Sequence, residues 1–202
     1  MSKVRIAVFV SGGGTNLQAL IDAQNSGIIS SGEIVLVIAD RSKAYALERA
    51  KKSGINTFYA ERKEIGNSEF EKLAIKALDE AKAELIVLAG YLGILSEQFT
   101  KKYSNRIINI HPSLIPSFCG MGCYGIHVHE KALEYGVKVT GATVHYVNEI
   151  PDGGRIIMQK AVDIKDDDTP QSLQRRVMEE AEWVILPKAT QKVCEEILKG
   201  DK

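Results

Sequence analysis

Three consecutive glycines, Gly12 to Gly14, stand between an apolar run at residues 4–10, broken only by Arg5, and a segment with Leu17, Leu20 and Ile21 at helical i, i+3, i+4 spacing. A continuous run rich in Val and Ile suits a strand covered on both faces, as in a parallel sheet. A strand that passes through a glycine turn into a helix begins a βαβ unit, whose crossover is right-handed. The pattern recurs: residues 34–39 and 85–89 are wholly apolar, and residues 107–110 form a shorter run. Between them, Leu47 and Ala50 mark a second helix that Gly54 stops. Ser68-Glu69-Phe70-Glu71 reads as a capping box ahead of a face made of Phe70, Leu73, Ala74, Ala77 and Leu78. Strand alternating with helix predicts an α/β fold, a Rossmann-like doubly wound and mostly parallel sheet with helices on both faces.

The rhythm changes after Ile110. Residues 111–129 read as a long loop rich in Gly, Pro and Cys, followed by a short helix at 130–135 that Gly136 ends. Residues 139–147 and 155–163 read as an antiparallel strand pair joined by 148–154. Thr169-Pro170 opens a helix, with Pro at its first position, that runs to about Leu198 and is broken or kinked at Pro187. A chain of 202 residues fits one domain over 1–202, with an N-terminal phosphate-binding half to about residue 105 and a C-terminal catalytic half from about residue 106.

Twenty-six Lys and Arg balance 26 Asp and Glu, so the formal net charge is zero. That argues against a protein that binds by gripping nucleic-acid phosphates or anionic lipid. No apolar run reaches the length of a membrane span, and the start moves straight into a strand without a signal-peptide core. Three cysteines cannot make a full disulfide framework; reduced thiols in a cytoplasm are the simplest expectation.

Four groups of residues carry chemistry. The loop at residues 11–16, Ser-Gly-Gly-Gly-Thr-Asn, can point N–H groups at a phosphate on a helix N-terminus. It has Leu17 where a dinucleotide loop has its third glycine, and no Lys as in a Walker loop, so it suits a mononucleotide or sugar phosphate. Asn109 and His111, two apart at the carboxyl end of a strand, face the same side, where α/β clefts lie. An amide donor and an imidazole aimed at one spot can hold an oxyanion and move a proton. Asp152, in Pro-Asp-Gly-Gly, is either a plain turn residue or the carboxylate that orients His111. Cys119, Cys123, His127 and His129 could ligate zinc, but their spacing matches no finger or ribbon, and no metal is expected. His145 reads as a satisfied, partly buried strand histidine, and Asp166 to Asp168 as acids placed ahead of a helix start.

Taken in order, these segments resemble the folate-dependent formyltransferases over nearly the whole chain. The similarity is carried by residues 8–19 (VFVSGGGTNLQA), 86–91 (IVLAGY), 109–116 (NIHPSLIP), 141–147 (GATVHYV), 152–154 (DGG) and 156–159 (IIMQ). The branch it most resembles formylates glycinamide ribonucleotide in purine synthesis, with 10-formyltetrahydrofolate as co-substrate and no metal. The resemblance implies that Asn109 and His111 stabilise the oxyanion and that Asp152 holds His111 and helps proton transfer. It implies phosphate binding by Gly13, Gly14, Thr15 and Asn16, and ribose contact by Glu182, five residues before Pro187. Leu92, Gly93, Ile94 and Leu95, with Asn109, Asn148, Glu149 and Ile150, become the pterin pocket. The partners implied are these two small molecules, without nucleic acid or membrane, and the family admits a homodimer.

Three departures stand out. Gly93 occupies a position where many members carry Arg, Arg155 stands where many have Pro, and residues 118–127 are longer and Cys-bearing. Rival readings within the superfamily are a methionyl-tRNA formyltransferase, for whose C-terminal RNA-binding domain the chain offers no room, and a formyltetrahydrofolate deformylase, which carries an N-terminal regulatory domain. From a different class, a dinucleotide-binding module would use Asp40 as its ribose acid.

Overall fold

The computed structural model describes residues 2–200. Its seven-stranded sheet contains β1 (Val4–Val10), β2 (Gly32–Ala39), β3 (Asn56–Tyr59), β4 (Leu85–Leu88), β5 (Ile107–His111), β6 (Val139–Tyr146) and β7 (Ile156–Asp163). The spatial order is β3-β2-β1-β4-β5-β6-β7. β1 to β5 pair in parallel, whereas β6 is antiparallel to both β5 and β7. The order reverses between β1 and β4, so a crevice opens at their carboxyl ends, where doubly wound sheets bind ligands.

Alternation along β1 divides the core. Val4, Ile6, Val8 and Val10 pack with Leu17 and Leu20 of α1 (Thr15–Asn25) and with Ile185, Ala189 and Val193 of α8 (Trp183–Lys199). Ala7 and Phe9 turn to the other layer, against Phe70 and Leu78 of α4 (Asn67–Glu80) and Phe99 of α5 (Glu97–Lys102). The remaining helices are α2 (Ala46–Lys52), the single-turn α3 (Arg62–Ile65), α6 (Ile126–Tyr135) and α7 (Pro170–Val177).

Several local expectations change. Ser68 does not cap α4: the helix begins at Asn67 after Gly66, which enters at φ 83° and makes no side-chain cap. The Glu71 carboxylate is used elsewhere, accepting from the Ser96 N–H at 2.7 Å and the Ser96 hydroxyl at 2.5 Å at the start of α5. α6 starts at Ile126, so His127 and His129 are helical rather than in a loop. Thr169 caps α7 as expected, in a reciprocal bond with Ser172. Pro187 does not break the last helix; the irregularity is a π-helical turn at Met178–Glu182, before α8. Trp183, whose carbonyl the Pro187 ring would meet, has ψ −13° instead of a helical value near −42°.

Candidate active site

The glycine loop leaves β1 pinned to the loop after β4. Ser11 N–H donates to Gly90 O at 3.2 Å, and Ser11 Oγ accepts from the Leu92 N–H at 2.9 Å. Gly12 O accepts from Ala46 N and Gly13 O from Arg49 Nε, so both carbonyls are held on the α2 side. Among the described residues, no protein acceptor takes the N–H groups of residues 12–16. Gly14 sits at φ 73°, where a Cβ would stand 2.6 Å from Ala46 Cβ, so glycine is required there on two grounds. At Gly12 and Gly13 a Cβ would meet nothing within 4 Å, which leaves space over the loop.

Asn16, in the first turn of α1, donates from Nδ2 to Glu182 Oε2 at 2.6 Å. Glu182 ends the π-helical turn and is buried, and burial pushes its carboxyl up to about 7 against the opposing pull of Asn16. The wider π turn aims this side chain inward at the loop that the first strand delivers.

At the far side, β5 and β6 place Asn109 opposite His145. His145 Nδ1 faces the Tyr146 carbonyl at 2.8 Å, so Nδ1 carries the hydrogen and Nε2 accepts from Asn109 Nδ2 at 3.1 Å. His111 Nε2 faces the Phe118 carbonyl at 2.9 Å and must donate to it, which leaves Nδ1 as the free lone pair of the neutral ring. That Nδ1 is 3.5 Å from Asp152 Oδ2, and Asp152 Oδ1 is 3.6 Å from His145 Nε2. Asp152 takes φ 57° in the β6–β7 connection, and its Oδ2 also accepts from the Gly120 N–H at 2.8 Å.

The electrostatics follow from burial. Desolvation lowers the His111 pKa below its ordinary value and outweighs the Asp152 carboxylate, which raises it. Burial pushes Asp152 up, but the two nearby imidazoles, His145 and His111, and the Gly120 N–H together hold it below the usual aspartate value.

A single cavity of about 760 Å³ joins both ends of this arrangement. It is lined by the glycine loop through Asn16, by Glu182, and by Asn109, His111 and Asp152. Leu92 to Leu95 and Asn148 to Ile150 complete one wall. Leu92 and Ile94 present apolar surface to it, being 52% and 53% exposed. Gly93 is hemmed in: a Cβ there would lie 2.4 Å from the Tyr91 ring, so a larger residue must displace Tyr91.

The fold moves two histidines into the site and adds three cations the sequence did not mark. His145 is satisfied, as expected, but its partner is Asn109 and it lies within the site rather than beside it. His129 lines the same cavity, is fully buried with no hydrogen-bond partner on either ring nitrogen, and is pushed down to about 4 by burial and by His111. Arg41, Arg62 and Lys63 reach the cavity from the loop after β2 and from α3. Their only sequence signal is charge, which does not reveal direction.

The zinc alternative dissolves in the geometry. His127 pairs with Glu130 at 2.8 Å, Cys119 Sγ turns to Pro116 O, and Cys123 Sγ meets Lys131 Nζ. No group of three or more His, Cys, Asp or Glu among the described residues could hold a metal ion. Asp40 does not serve as a ribose acid either, because both its oxygens are engaged by Arg41 and Arg62. No helix among the described residues is long and apolar enough to cross a membrane.

Residues 4–190 match the family model described as formyl transferase. The chain is 45% identical over 194 residues to the trifunctional purine biosynthetic protein adenosine-3 of Gallus gallus, covering 96% of this chain and 19% of that protein. It thus spans about a fifth of the length of that multifunctional relative. It is 41% identical to the phosphoribosylglycinamide formyltransferase of Haemophilus influenzae, over 91% of this chain and 84% of that one. The solved glycinamide ribonucleotide transformylase 1 of Symbiobacterium toebii superposes with a TM-score of 0.89 at 39% identity, covering 96% of this chain and 88% of the other.

Proposed function

The chain belongs to the formyl transferase family, and from that premise we propose that it moves the formyl group of 10-formyltetrahydrofolate to the amine of glycinamide ribonucleotide, the purine-synthesis step its relatives are named for. The products are formyl-glycinamide ribonucleotide and tetrahydrofolate. One observation carries this reading: Asn109, His111 and Asp152 meet in the same cavity as a glycine loop with unengaged N–H groups.

The substrate phosphate sits on the N–H groups of Gly13, Gly14, Thr15 and Asn16, favoured by the α1 dipole. Glu182 accepts from a ribose hydroxyl, with Asn16 fixing its carboxylate. The folate ring lies along Leu92 to Leu95 and Asn148 to Ile150. With both substrates held, the amine nitrogen attacks the formyl carbon. His111 Nδ1, which no hydrogen occupies in the neutral ring, takes the amine proton, and the imidazolium is stabilised by Asp152. Asn109 spends one amide hydrogen on His145, and its second is free for the oxyanion. Collapse of the tetrahedral intermediate breaks the bond from the formyl carbon to N10 of the folate, which leaves with the proton. The formyl group is already an activated acyl donor, so the site supplies proximity and a preorganised electrostatic field.

The test is turnover with 10-formyltetrahydrofolate in the presence and absence of glycinamide ribonucleotide. Tetrahydrofolate released only with the amine establishes transfer. Release without it would make the protein a deformylase, and no release in either case would reduce it to a binding module.

A further inference from the structure

Residues 118–125 do two things that the formyl-transfer reading leaves unconnected. Their backbone grips the reacting groups, through Phe118 O on His111 and the Gly120 N–H on Asp152. They also carry two partly exposed free thiols, Cys119 and Cys123, while the third cysteine, Cys194, is buried in α8.

The thiols flank one reversal of the chain, in which the Cys123 N–H donates to Gly120 O at 3.1 Å. Gly120 and Gly122 lie at φ 81° and 78°, so the turn between the sulfurs is built from residues with wide conformational freedom. The two sulfurs differ. Lys131 Nζ lies 3.2 Å from Cys123 Sγ, placing an ammonium on that thiol. Burial, Asp152 and Cys123 all push the Cys119 thiol up, so it stays protonated at neutral pH. A thiol beside a cation next to a second, resolving thiol is the arrangement of an oxidisable pair.

We propose that Cys119 and Cys123 are a modification site: a hydroperoxide links them in a reversible disulfide that switches the enzyme off by displacing the Phe118 carbonyl and the Gly120 N–H from His111 and Asp152. The inference rests on the formyl-transfer reading for its effect on rate, though not for the bond itself. Cys123 Sγ attacks the peroxide oxygen, giving a sulfenic acid and water. Cys119 Sγ then displaces the sulfenic hydroxyl as a second water, and the S–S bond forms. Two thiol hydrogens and two electrons thus pass to hydrogen peroxide. The closure tightens the turn that starts at Gly120 and pulls on Cys119, which sits between the two residues that hold the reacting groups, where a shift of about 1 Å costs on the order of a hundredfold in rate.

The experiment treats the intact protein with hydrogen peroxide, maps its peptides by mass and follows formyl transfer before and after dithiothreitol. The expected result is a Cys119–Cys123 link with a loss of about 2 Da, a roughly hundredfold fall in turnover, and recovery on reduction. Cys119→Ser should turn over like the parent when reduced, and should show neither the link nor a dithiothreitol-reversible loss tied to it. A peroxide-treated parent without the link, or a linked protein with unchanged turnover, overturns the proposal. Absence of transfer by the reduced parent would instead refute the function reading, and the mass map would still decide whether the thiols join.

Discussion

Asn16 donates its amide hydrogen to Glu182 across 2.6 Å, joining the first loop of the chain to the π-helical turn that precedes its last helix. The bond holds a buried carboxyl whose pKa is raised to about 7. The folded state therefore binds a proton that the unfolded chain releases near the ordinary glutamate value of 4.5. Stability contributed by this group is complete below that value, declines as pH rises towards about 7, and is lost above it. Glu182→Gln removes this slope. Thermal unfolding of the ligand-free proteins from about pH 5 to about pH 8 should show the variant gaining on the parent by up to about 3 kcal/mol. The same variant should raise KM for the ribonucleotide. A constant difference across that range would sink the assignment of the buried proton.

Asn109→Ala removes the proposed oxyanion donor, and kcat should fall by about a hundred- to a thousandfold with little change in KM. His111→Ala and Asp152→Asn should be comparably severe. His145→Ala leaves Asn109 in place but frees its amide to turn, so a smaller loss, about tenfold or more, is expected in kcat at unchanged folate KM. Steady-state kinetics on the four variants distinguishes these cases; near-normal turnover in His111→Ala would remove the proposed base.

The pH dependence of the reaction follows from His111. A proton acceptor must be neutral, and burial sets its pKa below the ordinary 6.5. The acid limb of kcat/KM should therefore have its midpoint below that value, with activity kept above the limb and lost beneath it. Asp152→Asn removes the carboxylate that raises the pKa, so the residual activity should show a limb shifted further to acid. Measuring both in a Glu182→Gln background removes the second buried titration. A limb centred above about 7 contradicts the neutral imidazole.

Gly14→Ala tests the phosphate loop. The new methyl would meet Ala46 at 2.6 Å from a left-handed backbone. About 1 kcal/mol of conformational strain plus the overlap should lower the melting temperature. Displaced N–H groups should weaken ribonucleotide binding more than folate binding, which equilibrium binding of each substrate will reveal.

Much of this molecule is legible in its residues because burial on both faces writes itself as apolar runs. β1, β2, β4 and β5 lie close to where those runs are, and glycine marks the entry to α1. β3 (Asn56–Tyr59) escapes detection because it is a half-exposed edge strand without an apolar run. α5 (Glu97–Lys102) is too short for a periodic pattern. In the site, alternation alone places Asn109 and His111 together. Asp152 stays open between a plain turn residue and the partner of His111 on sequence alone, since a turn aspartate has the same spelling whether or not it faces a histidine. His145 reads as a satisfied strand histidine, but its place in the site depends on which residue lies across the β5–β6 ladder. His129, marked by spacing only as a zinc candidate, enters the site because α6 starts before it.

The antiparallel ladder sets Asn109 against His145 and His111 against Thr143. Side chains alternate with a period of two, so a slip of β5 by one residue would turn Asn109 and His111 to the opposite face. Misaligned molecules would then be inert rather than merely slower. The specific activity of a preparation, set against its total protein, becomes a direct gauge of how many chains have zipped β5 to β6 in the right frame.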